Sequence, residues 1–263
     1  MLHRRPASAP NRWPWPVKIY TLGRFELRID DKPLVFERKA PKKALALLQA
    51  IVAFGWRDVP EDRIIDALWP DEEGDAGHRV FNTTLYRLRR LVRDNEVVLQ
   101  SGGRLTLNSR RCWVDAHAFE QALAAIGDAA QDESARRRAL DLYRGAFLAD
   151  EDGVSWIVPA RERLRDKFVH AVRLAGRAAE DSGRYDDAIG WYLRGLDADN
   201  LVEFFYQGLM RCYGRLERSA EVTDTYRRLK QALSLSLGAR PSAVSEKLYQ
   251  QSLLPASPPA SHL

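Results

Sequence analysis

Between Arg79 and Arg93 the chain carries five arginines and no acid. Wound at about 100° per residue with Arg79 as origin, Asn82, Thr83, Tyr86, Arg90 and Arg93 fall within about 60° of it, and Arg87 near about 80°. Phe81, Leu85, Leu88 and Val92 collect on the opposite side. One face is apolar. The other offers guanidinium, amide, hydroxyl and phenol groups, which reach guanine, adenine, the thymine methyl and phosphate in a major groove. A merely solvated amphipathic helix usually mixes acids with bases, and this one does not, so the face predicts contact with double-stranded DNA.

Two smaller basic features accompany it. Arg38, Lys39, Lys42 and Lys43 surround the start of an earlier predicted helix, where cations oppose the helix dipole and phosphate contact supplies a reason for them. Arg104 follows Gly102-Gly103 at a predicted turn, placed to enter a minor groove or touch phosphate, although turn arginines are commonly just solvated. Ahead of the arginine-rich helix lies an acidic loop, Asp71, Glu72, Glu73 and Asp75. Asp75 is the expected N-cap of that helix; one capping acid is sufficient, and four are present.

The elements that position these residues follow from the pattern. Val17, Ile19, Leu22, Phe25, Leu27 and Ile29 alternate as short antiparallel strands, broken by Asp30-Asp31 and resumed at Leu34-Val35-Phe36. Helix periodicity begins at Pro41 and stops at Gly55. A second helix opens at Pro60-Glu61-Asp62, with proline and acids suited to a helix start, and ends at Leu68-Trp69-Pro70. The third spans roughly 76–93. Val97–Leu99 and Leu105–Leu107 flank Ser101-Gly102-Gly103-Arg104 as a hairpin. Strands, three helices and a hairpin make a winged helix-turn-helix.

From Val114 to about Leu254 the pattern is helical without a strand signal. Ala139 and Tyr143, Ala188 and Tyr192, and Val222 and Tyr226 each stand four apart, and the last two pairs are offset by 34 residues. A small residue four before a tyrosine at that period is the packing pattern of tetratricopeptide helix pairs, and Ser182-Gly183-Arg184-Tyr185 supplies the turn inside one repeat. The expected fold class is therefore mainly α with a small β component, a winged helix-turn-helix domain (17–113) followed by an all-α tetratricopeptide-like domain (114–254). A Pro-rich linker (1–16) and a tail (255–263) flank them.

Composition and charge agree with this division. The 263 residues are 45% hydrophobic and 29% charged, as in ordinary globular proteins. Residues 1–113 carry a net charge of +7 and residues 114–263 one of −2, so the basic half is the one expected to meet a polyanion. No apolar run is long enough for a membrane span, and no signal-peptide core opens the chain. Cys112 and Cys212 stand alone, which suits a reducing cytoplasm. No HExxH, GxSxG, P-loop or dinucleotide fingerprint occurs, and the histidines lack metal-ligand spacing. Neither an enzyme, a metal site nor a cofactor is expected.

Four segments together resemble one family. These are Leu22-Gly23-Arg24-Phe25-Glu26-Leu27, Arg63-Ile64-Ile65-Asp66-Ala67-Leu68-Trp69-Pro70, Asn82-Thr83-Thr84-Leu85-Tyr86-Arg87-Leu88-Arg89-Arg90, and Val114-Asp115-Ala116-His117-Ala118-Phe119-Glu120. The resemblance is to antibiotic-regulatory-protein type bacterial activators, in which an OmpR-like winged helix precedes a tetratricopeptide-like bacterial transcriptional activator domain. Gly183-Arg184-Tyr185 and Leu237 to Ser242 extend it to residues 17–254. The resemblance implies sequence-specific DNA binding, often by homodimers on direct repeats, and recruitment of the RNA polymerase holoenzyme through its sigma factor. It also implies that the loop Asp71, Glu72, Glu73 faces polymerase. Where the family's wing usually has Gly-Tyr, this chain has Gly103-Arg104. Family members often carry an ATPase or phosphopeptide-binding module, of which this sequence has no sign. The rival reading is a tetratricopeptide interaction scaffold with a basic docking module, which has no use for a purely basic and amide face.

Overall fold

The computed structural model describes residues 15–36, 40–72, 74–126 and 133–253. The Pro-rich stretch up to Pro14, the basic residues Arg38 and Lys39, Glu73 and the tail beyond Leu253 lie outside the described residues. The described chain divides into two compact units, one of residues 15–126 and 137–164, the other of residues 133–136 and 165–253.

In the first unit, β1 (Val17–Tyr20), β2 (Glu26–Ile29), β3 (Lys32–Pro33) and β7 (Cys112–Val114) form a sheet of order β3-β2-β1-β7. β1 pairs antiparallel with β2, Val17 opposite Ile29, and parallel with β7, Val17 opposite Cys112. Asp30 and Asp31 both take positive φ, 48° and 64°, the conformation a two-residue hairpin turn demands. Because that turn is so tight, pairing resumes at once on Lys32 and Pro33, and the Leu34 N–H then donates to the Leu27 carbonyl. The strand expected at 34–36 is thus displaced to 32–33.

Three helices follow: α1 (Lys42–Ala53), α2 (Glu61–Leu68) and α3 (Gly74–Leu91). Leu47, Leu48 and Ile51 of α1, Ile64 of α2, and Phe81, Leu85 and Leu88 of α3 form their shared core and are almost wholly excluded from solvent. A second sheet, of order β4-β6-β5, joins β4 (Val59–Pro60), β6 (Arg104–Leu107) and β5 (Val98–Ser101). Gly102 and Gly103 make its hairpin turn with φ of 55° and 68°, a left-handed conformation that glycine adopts without the strain a side chain meets there.

β7 was not expected from the pattern: its three residues are all buried, so no alternation marks it. It leads directly into α4 (Asp115–Ile126). The Asp115 carboxylate accepts hydrogen bonds from the backbone N–H groups of Thr21 and Leu22 and from the Thr21 hydroxyl, at 2.7–2.9 Å. Further along, α5 (Glu133–Leu140) stops before Tyr143, so Ala139 and Tyr143 do not share a helix as their spacing predicts. Leu142 and Tyr143 donate three residues back, to Ala139 and Leu140, which tightens and ends the helix; the Tyr143 ring then packs against Phe119 at 5.6 Å.

The second unit is helical: most of α6 (Val158–Asp181), then α7 (Tyr185–Ala198), α8 (Glu203–Arg215), α9 (Ser219–Leu237) and α10 (Ala243–Ser252). The 34-residue period appears in the backbone. Gly183 and Glu217 both take positive φ, 72° and 57°, and the next residues, Arg184 and Arg218, each donate 2.9 Å bonds five residues back, to Ala179 and Tyr213. Tyr192 is fully buried between Gly176 of α6 and Gly208 of α8; a Cβ on either glycine would overlap its ring. Its hydroxyl donates to Glu180 at 2.7 Å, and Glu180 also accepts from Arg211. The fold is mainly α with a small β component, a winged helix-turn-helix followed by an all-α tetratricopeptide-like domain. Among the described residues no helix is long and apolar enough to cross a membrane.

One packing contact sets a pH dependence. His117 of α4 lies 3.8 Å from the Trp56 ring, centre to centre, and burial, helped by Arg57, pushes its pKa down from 6.5 to about 4, with Glu120 opposing. The folded chain holds this imidazole neutral where the unfolded chain protonates it. Stability from this group is complete above pH 6.5 and is lost as pH falls toward about 4. Chemical denaturation across that window is expected to show a steeper acid loss in the wild type than in His117→Gln; parallel curves would refute the assignment.

Candidate nucleic-acid interface

The second and third helices meet at close range. A Cβ on Gly77 would come within 2.8 Å of Ile65 Cγ2, so only glycine lets α3 cross α2 here. With Phe81, Leu85 and Leu88 turned inward, the opposite side of α3 faces solvent. Arg79, Asn82, Thr83, Tyr86, Arg87 and Arg90 are all exposed, Tyr86 at 60%. The structure brings these six onto one helical face. Thr83 donates to the Arg79 carbonyl at 2.9 Å, and the Arg90 guanidinium stands 5.9 Å from the Tyr86 ring centre.

Other predicted residues are placed differently. α3 ends at Leu91, so Arg93 is exposed beyond the helix with φ of 55°, not on its last turn. Asp75 sits inside the first turn of α3 rather than ahead of it, where its charge still complements the N-terminal dipole. Arg104 is exposed at the wing, with its Nη1 donating to the Asp58 carbonyl at 2.8 Å. Lys42 is exposed in the first turn of α1. Lys43 Nζ donates to the Leu68 carbonyl at 2.7 Å and stands 5.5 Å from the Trp69 ring, closing the C-terminal end of α2. Asp71 and Glu72 are exposed in the α2–α3 connection, while Glu73 lies outside the described residues.

Three residues outside the predicted contact set tie the wing to the helices. Arg89, on the flank of α3, donates to the Val98 carbonyl through Nε and Nη2, at 3.3 and 2.8 Å. Glu61 at the start of α2 donates its N–H to Gly103 and accepts from Gln100 Nε2 at 2.9 Å. Arg89 lies about 80° from Arg79, on the opposite side from Arg87, and this flank position is its only signal. Both cysteines are buried, which pushes each thiol up to about 12 and leaves it unreactive.

A family model described as bacterial transcriptional activator domain matches residues 114–253. The chain belongs to this family. The family is one of transcriptional regulators, not a class of enzymes. The matched domain begins on β7, whose strand pairs with β1, so its first part folds within the first compact unit. Regulatory protein AfsR of Streptomyces coelicolor is 29% identical over 225 residues, covering 83% of this chain and 22% of AfsR. The chain thus spans about a fifth of the length of that curated relative. A solved structure, Mycobacterium tuberculosis EmbR in complex with a low-affinity phosphopeptide, resembles this activator-domain chain with a TM-score of 0.69 and 23% identity. The likeness covers 90% of this chain and 65% of EmbR, and it is one of fold.

Since the apolar side of α3 carries the domain core, Leu85→Ala is expected to destabilise the winged helix by about 2–5 kcal/mol. Substituting the exposed Asn82 by Ala is expected to change stability by less than about 0.5 kcal/mol. Denaturant melts of the two variants make the comparison; equal losses would mean that both sides of α3 are packed.

Proposed function

We propose that the chain is a DNA-binding transcriptional activator that reads the major groove of double-stranded DNA with α3. The observation that carries this reading is the exposed face of Arg79, Asn82, Thr83, Tyr86, Arg87 and Arg90, uninterrupted by an acid and backed by a rigid apolar core. Asn and Arg supply bidentate donors for purine edges, and the flanking cations supply phosphate contact. Arg93 beyond the helix, Arg104 at the wing and Lys42 at α1 extend the contact to backbone phosphates, with Lys43 the weakest contributor because it is already engaged with α2. Binding by a homodimer on direct repeats follows from the family resemblance. The domain division at residue 114 is part of the same reading, the N-terminal part meeting DNA and the helical part meeting protein.

In a gel-shift against genomic duplex fragments, Arg87→Ala and Arg90→Ala are each expected to cost about 1–3 kcal/mol of specific binding while leaving the fold intact. Unchanged affinity in the folded double variant would overturn the recognition face.

The reading assigns Asp71, Glu72 and Glu73 to contact with RNA polymerase holoenzyme through its sigma factor. Acids beside a groove-facing helix weaken attraction to phosphate, so DNA affinity gives no reason for them. Replacing the three together by Asn or Gln removes charge at nearly constant size. Screening at physiological salt keeps the gain in DNA binding small, since the Debye length is only about 8 Å. Binding is expected to hold or tighten slightly while transcription in vitro from the bound promoter falls. Full activation with intact binding would reduce the loop to a helix-capping role; loss of both would mean that the acids hold α3 in place.

A further inference from the structure

Away from α3, strands β1 and β2 and the segment carrying Arg144 enclose a cleft of about 770 Å³ in the first unit. That size suits a small-molecule ligand. Its charged lining is Lys18, Arg24, Arg28 and Arg144 against Glu26 and Asp31, a surplus of two positive charges. Lys18, whose side chain is only 3% exposed, is paired with Asp31. Arg24 and Arg28 share one carboxylate, Glu26, and the Arg28 hydrogen bond holds that acid below its usual range despite partial burial. Arg144 has no ion pair among the described residues. Its guanidinium stands 5.9 Å from the Tyr20 ring centre, and Arg28 stands 5.5 Å from the same ring.

The backbone holds this arrangement in advance. Gly23, with φ of +95°, donates to the Ala146 carbonyl at 3.0 Å and accepts from Ala149 at 2.9 Å. A Cβ on Gly145 would lie 3.0 Å from Gly23 Cα, so two glycines let the Arg144 segment lie directly against the β1–β2 loop. Cations gathered with too few acids repel one another, and an anion relieves that repulsion.

We propose that this cleft binds a phosphate dianion, either inorganic phosphate or the phosphoryl group of a monoester. Guanidinium forks match phosphoryl oxygens bidentately, and a phosphomonoester carries about −1.5 to −2 charges near neutral pH, which balances the surplus. A phosphodiester supplies one charge per phosphate and a simple carboxylate one per group, so both match it less well. Tyr20 already meets Arg28, Arg144 and the edge of Trp113, at 5.2 Å between ring centres, so the site selects the phosphoryl group and not a stacked base. The source is either inorganic phosphate or a phosphorylated small molecule.

Titration calorimetry of the full chain with inorganic phosphate, glucose 6-phosphate and glucose tests this. Saturable binding of a phosphate-bearing probe and none of glucose is expected. Equal affinity for the two phosphates identifies the phosphoryl group alone as the ligand; tighter binding of the sugar phosphate means the cleft also takes the organic part. Arg144→Gln is expected to weaken binding about tenfold or more, as is Arg24→Gln, whose side chain is 77% exposed and cannot disturb the core. Circular dichroism confirms that each variant is folded. The Arg87→Ala/Arg90→Ala variant is expected to retain binding. The proposal is overturned if neither phosphate binds at millimolar concentration, or if binding survives Arg144→Gln and Arg24→Gln but is lost with Arg87 and Arg90, which would put the anion on α3.

Discussion

The buried carboxylate of Asp115 ties together the first unit. Asp115 takes N–H donors from Thr21, Leu22 and Ala116 and the Thr21 hydroxyl, all within hydrogen-bond distance and away from water. Burying an unpaired carboxylate costs several kcal/mol, and burial does push this acid's pKa up, with the hydrogen bonds from Leu22 and Thr21 opposing. Thr21 and Leu22 follow directly on β1, just where the chain leaves the sheet, and the acceptor begins α4. The carboxylate therefore fixes β1, β7 and α4 in one register across more than ninety residues of sequence, as its 94-residue separation from Thr21 shows. Just beyond the same strand end, Leu22 bridges to Phe147, and Arg161 closes the far side by donating to the Phe147 and Leu148 carbonyls.

That register explains why the family domain and the compact unit have different limits. The family model starts at Val114, yet Val114 pairs with Ile19 and the Asp115 side chain is satisfied by residues 21 and 22. Removing the segment after residue 113 would cut β7 before Val114, which pairs with Ile19, and leave two backbone donors without their acceptor. A buried donor left unpaired costs about 1–3 kcal/mol, so the winged helix gains stability from the start of the next domain. The motif Val114-Asp115-Ala116 is thus a structural staple between β7, α4 and the residues that follow β1.

Legibility in the sequence followed the strength of the local signal. The two-glycine hairpin and the α3 face were readable because each has a period or turn chemistry that few conformations satisfy, and α3 lies within two residues of its expected ends. β7 was not readable: three residues buried on both faces carry no alternation. The spacing of Ala139 and Tyr143 does not make them share a helix, because spacing alone says nothing about where a helix ends, and here the chain tightens at Leu140 and places Tyr143 on Phe119. The 34-residue repeat held where the turns are equivalent, even though Glu217 replaces glycine at a left-handed position. The hydrogen bond from Arg218 to the Tyr213 carbonyl matches that from Arg184 to Ala179, so the motif tolerates the about 1 kcal/mol strain of a non-glycine residue there.

The same contrast governs the charges. Counting lysines and arginines in the basic half overstates the free donors it offers, because several of these cations are committed to carbonyls of the fold. Lys43 closes α2, Arg89 holds the wing strand and Arg104 bonds Asp58. A guanidinium already donating to a carbonyl keeps its charge but loses part of its fork, so it attracts phosphate without reading a base. Arg79 and Arg87 have no such engagement among the described residues, and Arg90 only rests near Tyr86. Unengaged guanidinium donors therefore concentrate on α3, where the helix is held by its core, while the committed cations contribute mainly charge around it. Net charge could not make that distinction, because it counts protons and not hydrogen bonds.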